Sequence, residues 1–131
     1  MIDFEVNVFD KVYRKVSPLC AKGKFVSVYN PTPTAYPSGS LVELINRTDR
    51  KRQSSTPIEN FAIVAYQLDV YALSKKEAKE VYAVADDAMI ALGFTRTSGT
   101  FLDNADNVNV FRYVASYEAE IDRDGNIYRV T

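Results

Sequence analysis

The stretch Phe61-Ala62-Ile63-Val64-Ala65-Tyr66-Gln67-Leu68-Asp69-Val70-Tyr71-Ala72-Leu73-Ser74-Lys75-Lys76-Glu77 changes from strand to helix periodicity within 17 residues. Side chains of a strand point alternately to the two faces of its sheet. Here Ala62, Val64, Tyr66, Leu68 and Val70 share one face, and all are apolar. Phe61, Ile63, Ala65, Gln67, Asp69 and Tyr71 share the other, which is mixed. The spacing predicts a strand over 59–73 whose first face meets a layer of helices. Ser74-Lys75-Lys76-Glu77 then reads as a capping box, in which the Ser74 hydroxyl satisfies a backbone N–H at the start of a helix. From here the apolar period lengthens: Ala78, Val81, Tyr82, Ala85, Met89 and Leu92 recur at helical spacing, and Val84 and Ala91 widen the stripe. Gly93 suits a left-handed C-cap, with Phe94 folding back as its apolar partner.

Upstream, residues 3–17 read as a first helix, with Val6, Phe9, Val12, Tyr13 and Val16 as its apolar stripe. Asp3 is expected to cap it, Glu5 suits the positive end of its dipole, and Pro18 ends it. Phe25–Tyr29 alternates like a strand. Residues 30–39 hold three prolines and read as a stiff extended connection, and 41–47 as a second strand. Residues 47–57, with Arg47, Arg50, Lys51 and Arg52, are the most polar run and are expected to form a mobile loop to about residue 58. Downstream, 94–101 and 110–121 read as strands around a turn-rich loop at 102–109. Asp124-Gly125 marks a tight turn, and 127–130 pairs back as a hairpin. In the 110–121 strand Phe111, Tyr113, Ala115, Tyr117, Ala119 and Ile121 face one way. Arg112, Ser116, Glu118 and Glu120 face the other, with Val114. The expected fold is α+β, a single domain over 1–131 in the order α-β-β-β-α-β-β-β, with two amphipathic helices on one face of a mainly antiparallel sheet.

The chemistry this chain lacks is as informative. Its 131 residues contain no His, no Trp and one Cys. Histidine metal sites, Ser-His-Asp or Cys-His catalysis and an internal disulfide are thereby excluded. Cys20, with no histidine to activate it, reads as a small apolar residue. The acidic runs at 102–109 and 122–126 lack the spacing of a calcium loop. Asp86 and Asp87 are adjacent on a helix, point about 100° apart, and read as solvated. Glycines are scattered, so there is no phosphate-binding loop. No catalytic, metal or cofactor constellation emerges, and the chain reads as a non-enzyme. Neither a signal peptide nor a membrane span is expected.

The net charge of −1 conceals an asymmetry. Residues 1–52 carry 9 basic and 5 acidic side chains, and residues 53–131 carry 7 basic and 12 acidic. A net +4 first part therefore precedes a net −5 second part. The basic run lacks interleaved aromatics, which gives no support to base stacking.

With these elements in place, the chain resembles the tail terminator (tail completion) and minor-capsid-type head–tail joining proteins of long-tailed bacteriophages. The resemblance rests on order and spacing over most of the chain. It comprises the initial helix, Pro33-Thr34-Ala35-Tyr36-Pro37 leading into a strand, and Tyr66-Gln67-Leu68-Asp69-Val70-Tyr71-Ala72. It continues through Ser74, Glu77-Ala78, Leu92-Gly93-Phe94, Phe111-Arg112-Tyr113 and the hairpin from Ile121 to Tyr128. It implies a non-enzymatic virion protein without cofactor, assembled in the host cytoplasm. Such a protein forms a ring, commonly hexameric, on the head-proximal end of the tail tube. It meets the tube protein and the head connector, and DNA only passes through its lumen.

A ring of identical subunits needs two different, complementary patches on each copy. Arg47, Arg50, Lys51 and Arg52 are the candidates for contact with an acidic neighbour or the tube. Arg112, Glu118 and Glu120 are the candidates for a lumen-facing or neighbour-facing strand surface. The alternatives are a head-completion or tail-tube protein of related fold, a nucleic-acid-binding module using the basic loop, and a small α+β enzyme with an unrecognised acid pair.

Overall fold

A computed structural model describes residues 1–29, 33, 35–48, 61–102 and 109–129. Helix α1 (Glu5–Val16) runs into a short 3-10 turn at Ser17–Leu19. Strands β1 (Phe25–Val26), β2 (Ser38–Thr48) and β3 (Phe61–Ala72) follow, then helix α2 (Lys75–Leu92) and strands β4 (Thr95–Leu102), β5 (Phe111–Asp122) and β6 (Ile127–Arg129). The order is α-β-β-β-α-β-β-β, as the periodicities predict.

The strands form one sheet in the order β1-β2-β3-β5-β4, with β6 pairing the far end of β5 beyond β4. Among the described residues only the β1–β2 pair is parallel. Between β3 and β4 the chain crosses over β5, and α2 occupies that face against β3 and β5. Helix α1 packs beside α2, and Phe9 stacks on Phe25 of β1 with ring centres 5.6 Å apart. One hydrophobic cluster fills the space between helices and sheet. It contains Ala62, Val64, Tyr66, Leu68 and Val70 of β3, Ala115, Tyr117, Ala119 and Ile121 of β5, and Ala78, Val81, Ala85 and Met89 of α2.

The helix ends follow local chemistry. Ser74 Oγ accepts from the Glu77 N–H at 3.1 Å. Gly93 takes φ +112°, and its N–H reaches the carbonyls of Ile90 and Met89. Phe94 is fully buried behind it. In α1 the expected stripe is corrected. Val8, Val12 and Val16 are buried, whereas Val6 is 71% and Tyr13 38% exposed. Helix α1 has apolar residues on both sides of its axis, so the position of the sheet and of α2 chooses the buried set. Asp3 does not cap as expected, since the N-cap residue is Phe4; Asp3 Oδ1 instead accepts from the Glu5 N–H at 3.2 Å.

Two strand boundaries also move. The first strand stops at Val26, and Val28 is exposed. Ser38 and Gly39, expected in the connection, begin β2. Gly39 is needed there because a Cβ would lie 2.9 Å from the Asp69 carbonyl oxygen and 3.2 Å from Phe25.

Candidate interaction surface

Both helices lie on one side of the sheet, and the register defines the composition of the other. Across β2, β3 and β5 the rows on this second face read Val42–Gln67–Ser116, Ile45–Ala65–Glu118 and Arg47–Ile63–Glu120. Tyr128 of β6 extends the last row, and Thr95 of β4 extends the row of Glu118. Glu118 and Glu120 are half-buried and Arg47 is exposed. The backbones of Arg47 and Glu120 are separated by two strand spacings, about 10 Å. This face thus carries Arg47 at its β2 edge and Glu118 and Glu120 on β5, with Ile63 and Ala65 between them. Arg50, Lys51 and Arg52 lie outside the described residues.

Beyond Gly39 and Ser40, β2 has no strand on its outer side among the described residues. The register slips between Glu43 and Ile45, where Leu44 and Ile45 are exposed. A bulge at an edge breaks the flat template to which further strands would add.

Arg112 lies on this same face, as expected, and is drawn down against it. Its Nε and Nη2 donate to Asp69 Oδ1 at 3.1 and 3.0 Å, and Gln67 Nε2 donates to Asp69 Oδ2 at 2.8 Å. The guanidinium also lies over the rings of Tyr29 and Tyr71 at 5.6 and 5.8 Å. Asp69 is 1% exposed, so its charge is sustained by these donors. Arg112 therefore has an intrachain role that the sequence does not announce.

Two further polar groupings lie on the helix side. Asp86, expected in solvent, is half-buried. Its Oδ1 accepts from Tyr117 Oη at 2.6 Å and Tyr82 Oη at 3.3 Å, with Arg96 Nη1 at 3.4 Å. Arg96 also donates to Tyr82 Oη at 2.7 Å. Burial pushes the Tyr82 phenol up to about 12, against the opposing pull of Arg96.

The second grouping joins Asp3, Glu5 and Glu43. Burial first, then the hydrogen bond and charge of Glu5 and the charge of Asp3, push the Glu43 carboxyl up to about 7. Asn46 Nδ2 donates to Glu43 Oε1 at 3.3 Å and to the Ile2 carbonyl at 2.7 Å, tying the N-terminal segment to β2. No spacing rule could reveal this cluster, because its members are brought together by the sheet. Cys20 is half-buried, and burial pushes its thiol up to about 11.

No helix of the described residues is long and apolar enough to cross a membrane. No protein-family model matches the chain, and no curated protein does. Among solved structures, the chain is similar to one from the virion of a native gene transfer agent (GTA) particle. The two share 15% identity with a TM-score of 0.61, over 87% of this chain and 93% of the other. At this identity the likeness shows a shared fold, and it extends over nearly the whole of both chains.

Proposed function

We propose that this chain is a non-enzymatic structural protein of a phage-like virion. In this reading it acts at the head–tail junction, as a ring, hexameric by the family resemblance, that caps the tail tube and joins it to the head connector. The observation that carries the reading is the near-complete fold overlap with a chain of a gene transfer agent virion. The resemblance to tail terminator proteins supports the terminator slot within that reading.

The open sheet face supports assembly. Head-to-tail rings require patches of different character on each subunit. Arg47 at one side of this face, and Glu118 and Glu120 at the other, supply opposite signs. Arg50, Lys51 and Arg52 continue the basic run in sequence beyond β2. In the ring these basic residues meet an acidic surface of the next subunit or of the tube, and the acidic strand faces the lumen or a neighbour. An acidic lumen lets DNA pass without adhering. Analytical ultracentrifugation and tail-joining assays on a variant with Arg47, Arg50, Lys51 and Arg52 changed to Glu test this. Loss of ring formation or tail attachment supports the reading, and unchanged assembly removes the basic contact from it.

A further inference from the structure

The three carboxylates of Asp3, Glu5 and Glu43 present oxygens that all lie within 4.8 Å of one another. They come from the start of α1 and from the bulged edge of β2, so the arrangement is a product of the tertiary fold. A point between three oxygens at that spacing is at most about 2.8 Å from each, close to the roughly 2.3–2.6 Å of calcium–oxygen bonds. None of the three is ion-paired among the described residues.

Tyr66 supplies a second, independent observation. It is Glu43's direct partner across the β2–β3 ladder and lies on the same helix-facing side. It is 1% exposed, and its Oη has no hydrogen-bond partner among the described residues. Buried hydroxyls are normally paired, and an orphan one invites an explanation. An ion or its coordinated water beside Glu43 would give that oxygen a partner.

We propose that Asp3, Glu5 and Glu43 bind a hard divalent cation of the calcium type, with Tyr66 Oη facing the ion or its water. All the donors are oxygens, which favour calcium or magnesium over softer metals. Asp3 is exposed and the two glutamates are half-buried, so the ion can enter from solvent and keep waters in its coordination shell. Bound there, it neutralises three like charges and clasps the N-terminal segment to β2. The site is independent of the assembly reading.

Terbium(III) takes the same oxygen ligands, and in a chain without Trp only tyrosine sensitises its luminescence strongly. The expected result on the full chain is saturable terbium emission that calcium displaces. Asp3→Asn and Glu43→Gln each weaken binding by about tenfold or more. Tyr66→Phe removes most of the sensitised emission while calcium still binds by calorimetry. Asp3 is at the surface, so Asp3→Asn reports on the site even if a Glu43 variant folds poorly. Absence of saturable binding, or unchanged affinity in both Asp3→Asn and a folded Glu43→Gln, overturns the proposal.

Discussion

Arg112 on β5 places two nitrogens 3.0 and 3.1 Å from one oxygen of Asp69 on β3, and that carboxylate is almost wholly out of solvent. The pair spans two central strands on the face away from the helices. Breaking a buried pair from one side strands the remaining charge, at a cost of about 3–5 kcal/mol. Arg112→Met is expected to destabilise the chain by that amount in urea unfolding. The double change Asp69→Leu with Arg112→Met is expected to recover much of the loss. A single-variant loss below about 1 kcal/mol would show that water reaches Asp69.

Ser74→Ala removes the oxygen that receives the Glu77 N–H. It should cost about 0.5–2 kcal/mol. Gly93→Ala should also destabilise, because φ is +112° and the new Cβ would sit 3.1 Å from Ile127. Thermal melts of both variants check this, and a neutral Gly93→Ala would contradict the tight closure of α2 onto β6.

Glu43 makes stability depend on pH in an unusual direction. Its folded pKa lies near 7, above its ordinary value of 4.5. The folded state thus binds the proton more tightly than the unfolded chain. The stabilising contribution is fully present below about pH 4.5 and is lost as pH rises through about 7. The groups facing Glu43 are Glu5 and Asp3, which oppose its ionisation, and Asn46, which favours it. With a chelator present and ionic strength fixed, unfolding free energy should fall across this window in the native chain. Glu43→Gln should flatten the slope. An equal slope in the variant would assign the effect to other groups.

Cys20 should react slowly. A thiol held near 11 is almost entirely protonated at neutral pH, and the thiolate is the nucleophile. Modification by Ellman's reagent at pH 7 should be much slower than for a free cysteine and should accelerate in urea. Fast reaction of the folded chain would contradict the packing of Cys20 against the core.

What was legible in the sequence was whatever depends on near neighbours. The alternation in β3 and β5 names the buried faces because a strand has only two. Ser74 and Gly93 mark α2 because capping is completed within a turn. Helix α1 was harder: Val6, Val8, Phe9, Val12, Tyr13 and Val16 permit more than one apolar stripe, and only the neighbouring layer selects Val8 over Val6. Asp86 looked solvated because its partner Tyr117 comes from β5, 31 residues away. Asp69 gave no sign of its ion pair with Arg112, 43 residues distant. The cluster of Asp3, Glu5 and Glu43 needed both the start of α1 and the β2 bulge to be placed. Alternation alone places Glu118 and Glu120 on a strand surface, whereas Arg47, expected with the polar run at 47–57, lies in β2; the row positions of all three needed the register.

The proposed role of this chain is to terminate a tail tube. Electron microscopy of the purified protein mixed with its cognate tail tubes tests it most directly. A terminator gives a ring-shaped cap at one end of each tube and tubes of uniform length. Decoration or growth along the whole tube, or rings that never meet tube ends, would contradict it.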